Sequence, residues 1–316
     1  MQKKILVIKH GALGDIFMAL GAFKAIRKYH QDAKVILLTT KPFISLARKM
    51  TYFDEVWYDN RSPWWDFKST IGIYRKLHGN GKVPFDRIYD LQNSTRTQSY
   101  FKMIKSPKPE WIGNAIGASH QMPKDSWKNT HIDAYYKVLL KGTGIKDMTR
   151  AEIDWLNSDI SKFKLEGDYA VFIAGCSAAN SEKRWGADNF AKLNSYLKTQ
   201  NIKSVLIGRD EDQDIINDII SESGLDSDNI INLINKTSFD DLAEIGRGAK
   251  VIIGVDTGPM HIISYLATPM VMIFSGKSMF DFVAPRADNV TLVRENILTD
   301  LTADRVIDSV KAQLAK

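Results

Sequence analysis

The sequence has a single cysteine, Cys176, in 316 residues. No internal disulfide is possible, and a reducing compartment is expected. Long apolar runs are missing as well, and none approaches the ~20 residues that a bilayer-spanning helix needs. Met1-Gln2-Lys3-Lys4 leads straight into a strand pattern too short for the apolar core of a signal peptide. These absences predict a cytoplasmic protein. Common nucleotide motifs are absent too. The opening loop carries only Gly11 and Gly14, not G-x-G-x-x-G, and the second strand ends in Thr39-Thr40-Lys41 with no acid for a ribose 2′-OH. A nicotinamide dehydrogenase is therefore not expected. No G-x-x-x-x-G-K-[ST] is present, which removes the P-loop phosphotransferases. Six scattered histidines and one cysteine give no zinc spacing. Asp210-Glu211-Asp212 lies at a helix start and reads as carboxylates favoured by the helix dipole rather than as a metal site. No metal or cofactor is expected.

What is present is an ordinary globular composition, 44% apolar and 25% charged, with an uneven charge distribution. Residues 1–155 hold 26 Lys and Arg against 14 Asp and Glu, a net of +12, and the remainder holds 17 against 23, a net of −6. A basic first half is suited to an anionic partner: nucleic acid, membrane headgroups or an anionic substrate. Helix-turn-helix, RNP-like and zinc-finger signatures are all missing, so nucleic acid is not an expected partner.

The pattern alternates strand and helix. Strands are expected at 4–8, 35–38, 54–58 and 87–91, with helices at 16–29, 42–50, 64–77, 96–104 and 131–141. His10–Asp15 is a glycine-bearing loop, and 113–130 a long loop of the functional kind. The alternation restarts at 169–174, with further strands at 204–207 and 230–233, and ends in a closing helix at 302–314. The expected fold is α/β: two Rossmann-like parallel-sheet domains, 1–155 and 156–316, facing each other across a cleft.

The organising stretch is Gly254-Val255-Asp256-Thr257-Gly258-Pro259-Met260-His261. A buried-strand pattern, 251–253, leads in and a helical run leads out, so the polar residues fall at a strand's carboxyl end, where ligands bind in open α/β sheets. Gly258 permits close approach, Pro259 suits the first helical position, and the first-turn N–H groups form a seat for an anion. An N-cap Thr257, a turn Gly258 and a structural His261 are the alternative. Lys183, with Arg184, lies in the loop after the first strand of the same half and is placed to neutralise a phosphate, while Trp185 anchors the next helix. Asp15 is either a helix-start charge or a general base toward a sugar hydroxyl.

Ile5 to Tyr29 (ILVIKHGALGDIFMALGAFKAIRKY) resembles the opening of the ADP-heptose:lipopolysaccharide heptosyltransferases, glycosyltransferase family 9. Lys183-Arg184-Trp185 with Asn189-Phe190-Ala191 resembles that family's phosphate-binding lysine segment, and Ser238 through Gly276 its C-terminal signature. The resemblance implies a GT-B fold and an inverting, metal-independent glycosyl transfer. It makes Asp15 the base on the acceptor hydroxyl, Lys183 and the Thr257-Gly258 backbone the diphosphate ligands, and it sets Asp256 and His261 near the donor sugar. It implies ADP-heptose as the donor to the second half. The acceptor, held by the first half, would be an anionic lipopolysaccharide-core saccharide at the cytoplasmic face of the inner membrane. The family carries a Glu where Asp212 stands here beside Glu211, which bears on the nucleotide contact. Arg61, Arg96 and the 124–128 loop are candidate acceptor ligands, and Trp64-Trp65 reads either as a membrane-interface pair or as a buried helix start. Transfer from another nucleotide sugar, or a nucleotide-sugar epimerase or hydrolase using the same donor seat, remain open alternatives.

Overall fold

The computed structural model describes residues 2–78, 85–122, 126, 128, 130–176, 178–224 and 228–316. Lys124, with positions 125 and 127 of the expected acceptor loop, lies outside these residues. The chain divides into two units, Met1–Ala151 and Glu152–Lys316; the sequence reading drew the line after 155. Local chemistry accounts for the division. Arg247 donates to the carbonyls of Ile153 and Leu156 at 2.9 and 2.7 Å. Ser158 and Lys162 both bind the Asp241 carboxylate at 2.8 Å. The segment from Ile153 onward is thus pinned to the second unit.

The first unit runs β1 (Lys4–Ile8), α1 (Leu13–Met18), α2 (Leu20–Tyr29), β2 (Lys34–Thr39), α3 (Ile44–Lys49), β3 (Glu55–Tyr58), α4 (Phe67–His78), β4 (Arg87–Asp90), α5 (Thr95–Met103), β5 (Glu110–Gly113), β6 (His120–Gln121) and α6 (Ile132–Lys141). All its strands are parallel, in the order β3-β2-β1-β4-β5-β6. The second unit runs β7 (Tyr169–Ile173), α7 (Ala187–Thr199), β8 (Lys203–Leu206), α8 (Gln213–Ser223), β9 (Ile230–Asn232), α9 (Phe239–Gly248), β10 (Val251–Val255), α10 (Gly258–Ile263), β11 (Met270–Ser275), α11 (Phe280–Val283), β12 (Val290–Glu295) and α12 (Ala303–Leu314). Its parallel order is β12-β11-β10-β7-β8-β9. Counted within the unit, this repeats the first unit's order. It is the doubly wound order that places a ligand crevice beside the two strands where the winding reverses.

The central strands are apolar on both faces because helices cover both. In β7, β10 and β11, Phe172, Ile253 and Val271 join one core with Phe190, Ile216 and Val306 from the helices. Their strand neighbours Val171, Ile252 and Met272 are buried just as fully.

Three departures from the sequence pattern matter. The helix expected at 16–29 is two helices broken at Ala19, and it starts at Leu13. Gly14 and Asp15 are therefore helical and not part of the loop. The carboxylate of Asp15 accepts from the Ala12 N–H at 3.0 Å and closes the first turn, which offsets the poor helix propensity of Gly14. The helix expected from Trp64 starts at Phe67, because Asp66 accepts from the Ser69 N–H at 3.2 Å and from its hydroxyl at 2.7 Å and so caps it. The loop expected over 113–130 contains β6.

Two imidazoles, His10 buried and His30 half-buried, set a pH dependence. Burial pushes His10 and His30 down to about 4, whereas an unfolded histidine titrates near ~6.5. Between these values the unfolded chain binds more protons, so stability falls as pH falls. Asp90, raised by burial to about 6, takes up its proton in the native state first and opposes the trend. Asp212, whose carboxyl burial also raises, opposes it too, but the unfolded imidazoles begin to take up protons before the native Asp90 does, so the melting temperature is expected to drop as pH falls from about 7 to 6. A flat profile across that window would contradict the assignment.

Candidate active site

Each unit carries a polar cluster at the carboxyl ends of its two reversal strands. In the second unit these are β10 and β7, with β8 next to β7. Asp256 follows β10 directly and is 6% exposed. Its Oδ2 meets Lys183 Nζ at 2.7 Å and its Oδ1 meets His261 Nε2 at 3.1 Å. Burial works against the Asp256 charge, but the hydrogen bonds and charges of His261 and Lys183 outweigh burial and hold its pKa down at about 2. A carboxylate, an ammonium and an imidazole from positions 73 residues apart are thereby joined in one chain of contacts. Trp185, 1% exposed, anchors the lysine loop by donating to the Leu301 carbonyl at 2.8 Å.

Thr257 precedes α10 with extended backbone, but its side chain makes no cap hydrogen bond. Its Oγ1 is buried without a partner among the described residues. The hydroxyl is therefore available to a ligand, as are the first-turn N–H groups of α10, which have no intrahelical acceptor. Gly254 packs β10 too closely for a side chain: a Cβ would lie 2.6 Å from Met260 Sδ and 2.7 Å from the Ile173 carbonyl.

Asp212, beyond β8, is buried beside the end of β7. Its Oδ2 accepts from the Arg209 N–H at 3.0 Å, and its Oδ1 is buried without a partner among the described residues. Burial pushes its carboxyl up. Gly175 creates this position, since a Cβ there would fall 1.9 Å from Asp212 Oδ1. Gly175→Ala should therefore cost about 1–3 kcal/mol by overpacking, and Asp212→Ala in the same chain should recover most of it. Additive effects in a double-mutant cycle would show that the two positions are uncoupled.

In the first unit the reversal strands are β1 and β4, with Ile8 opposite Asp90. Gly11 turns with φ +82°, where a Cβ would meet Phe43 Cε2 at 2.8 Å. Gln92 Oε1 accepts from the N–H groups of His10 and Gly11 at 3.0 and 3.3 Å and fixes the loop ahead of half-buried Asp15. Lys9, 6% exposed, reaches the Leu91 carbonyl at 3.4 Å. Burial opposes its charge, but Tyr136, Asp15 and Asp90 outweigh burial and raise its pKa. Asp15 thus stands beside a fixed buried cation. The sequence reading passed over Lys9, although a lysine continuing a fully apolar strand was the available signal. Gln92 and Gly175 were passed over as well, and their roles depend on neighbours remote in sequence.

Arg96 borders this cluster through Tyr100, whose hydroxyl it meets at 2.9 Å and whose ring packs edge-on to His10 at 6.0 Å, but its guanidinium is committed. Nε and Nη2 bind Asp59 at 2.6 and 2.9 Å, and Nη1 donates to the Ser62 carbonyl at 2.9 Å. The Tyr100 hydroxyl donates to the same carboxylate. Arg96 therefore braces the 59–64 turn. Arg61, on that turn, is exposed, has φ +56° and donates its N–H to Asp59 Oδ1 at 3.0 Å. Of the two arginines, Arg61 is the one offered to solvent.

Comparison with known proteins bears on what these clusters do. Residues 74–309 match the profile of glycosyltransferase family 9 (heptosyltransferase). Lipopolysaccharide heptosyltransferase 2 of Salmonella typhimurium is 23% identical over 354 aligned positions, covering 99% of each chain. The glycosyl transferase family 9 structure from Veillonella parvula superposes with a TM-score of 0.83 at 18% identity, over 99% of this chain and 97% of that one. An E. coli heptosyltransferase solved with ADP superposes with a TM-score of 0.77 at 17% identity, over 98% and 99%. The fold of this chain, two parallel-sheet α/β units, is that of the GT-B heptosyltransferases.

Proposed function

The chain belongs to glycosyltransferase family 9, and we propose that it moves a heptose from an ADP-sugar to an anionic lipopolysaccharide-core saccharide, with inversion at the anomeric carbon. The observation that carries the reading is the Lys183–Asp256–His261 chain at the reversal point of the second sheet. Donor binding is assigned to that unit and acceptor binding to the first.

In this mechanism Asp15 accepts the proton of the acceptor hydroxyl as its oxygen attacks the anomeric carbon. The bond from that carbon to the diphosphate oxygen breaks, and the leaving ADP gains negative charge. Lys183 meets that charge, with the Thr257 hydroxyl and the first-turn N–H groups of α10 beside it, in a fixed array that needs no reorganisation. Lys183 takes the place that a metal ion has in other diphosphate chemistry. Asp256 holds Lys183 and His261 in place, and the unpaired Asp212 Oδ1 accepts from a nucleotide hydroxyl. Arg61 is the proposed contact to the acceptor's anionic groups. The first unit's excess of 26 Lys and Arg over 12 Asp and Glu suits such an acceptor. The relative solved with ADP supports the choice of nucleotide. The cytoplasm is the proposed compartment.

A thermal-shift panel tests the donor. A ligand that binds only the native state raises the melting temperature by mass action. ADP and ADP-heptose should raise it, and NAD should not. A rise with UDP or GDP compounds alone would refute the adenine assignment and identify Asp212 as the altered contact.

A further inference from the structure

Four large apolar side chains in the first unit stand in water within eight positions. Trp64 is 37% exposed, Trp65 79%, Phe67 75% and Ile71 47%. They belong to one ordered surface. Trp64 lies under the Arg96 guanidinium, 4.5 Å from its ring centroid, and packs edge-on to Tyr100. Asp66 caps the helix that follows. Helix α4 has two faces. Ile73 and Leu77 join the core with Ile36, Leu38 and Ile88. Phe67, Lys68, Ile71 and Arg75 are exposed, at spacings that place them on the opposite side.

The charges around these side chains identify the occupant. Residues 61–78 carry the exposed Arg61, Lys68 and Arg75 against a single acid, Asp66, whose carboxylate is engaged by Ser69, while Lys76 turns to the Tyr58 carbonyl at 2.6 Å. A protein partner's buried patch would be depleted in lysine. Exposed aromatics ringed by Lys and Arg instead match the interface of a bilayer, where the rings enter the headgroup boundary and the cations meet anionic lipid. No helix among the described residues is long and apolar enough to cross a membrane, so the contact is a peripheral one. We propose that the face formed by Trp64, Trp65, Phe67, Lys68, Ile71 and Arg75 docks this chain on an anionic bilayer surface. The proposal uses none of the residues assigned to donor or base, and it stands whether or not the sugar assignment does.

The test is co-sedimentation of the full chain with vesicles of phosphatidylcholine alone and of phosphatidylcholine with phosphatidylglycerol. Binding is expected to the mixed vesicles, to weaken as salt is raised, and to be slight on phosphatidylcholine. Trp65→Ser with Phe67→Ser should reduce partitioning at least about tenfold. Lys68→Glu with Arg75→Glu should do so by about the same factor on the mixed vesicles. Both variants should melt cooperatively near the wild-type temperature, which shows that they are folded whether or not ADP binds and separates this result from failure of the donor assignment. Absence of vesicle binding in the wild type, or its retention in both variants, would overturn the proposal. So would sedimentation velocity showing a wild-type dimer that Trp65→Ser with Phe67→Ser makes monomeric, since a second copy would then occupy the face.

Discussion

Asp15→Ala is expected to lower kcat by roughly 10²–10⁴-fold, the usual worth of a positioned general base, while ADP affinity stays within a few-fold. The expectation rests on where the carboxylate sits. It occupies the first turn of α1, half-buried, immediately beyond a loop fixed by Gln92, in the unit that does not carry the Lys183 cluster. Its neighbour is the buried ammonium of Lys9, whose pKa Asp15 helps to raise. The alanine variant also loses the hydrogen bond from the Ala12 N–H, at a cost of about 0.5–2 kcal/mol. Asp15→Asn separates the two roles, because the amide oxygen can still accept from Ala12 but cannot take a proton at neutral pH. If Asp15 is the base, both variants lose transfer and only the alanine loses stability. If Asp15 is no more than a helix-start charge, the asparagine variant retains activity within a few-fold.

Lys183→Ala should weaken ADP and ADP-heptose binding by about 10–100-fold, as expected when a charged hydrogen-bond donor is removed from a phosphate. A second effect comes from Asp256, which loses the closer of its two partners. The depressed pKa of Asp256 stabilises the fold above the unfolded value near ~3.9, and that contribution is lost as pH falls toward about 2. Without Lys183 the folded pKa rises and the contribution shrinks, so acid unfolding should change its pH dependence in the range between those values. His261→Gln retains Lys183 and removes the other partner, and should affect donor affinity less. Unchanged donor affinity in Lys183→Ala would remove Lys183 from the site.

The parts of this fold that could be read from the chain are those where burial and period agree. The apolar run Ile5–Ile8 of β1, the apolar β10 and the punctuation around Asp256-Thr257-Gly258-Pro259 declare a parallel sheet with a ligand at its carboxyl edge. β6 was hidden because it is two residues long. β12, an edge strand with half-exposed residues, lacks an unbroken apolar run. The early start of α1 was hidden because Gly14 argues against helix, and the bond from the Ala12 N–H to the Asp15 carboxylate overturns it. In the site, the residue types of Lys183, Asp256 and His261 were legible, but their joining was not. It depends on β7 lying beside β10, a neighbour relation that no local spacing encodes. The same holds for Arg96, whose basic charge suggested a ligand until the fold brought Asp59 to it from 37 positions away.

Acceptor-dependent release of ADP tests the assignment most directly. Purified chain is given ADP-heptose with and without a deacylated, phosphorylated core saccharide, and free ADP is followed in time. The transferase assignment predicts ADP release only when the saccharide is present, in step with glycosylated product, and its loss in Asp15→Asn. Equal release without the saccharide would contradict it and identify a nucleotide-sugar hydrolase or epimerase built on the same donor seat.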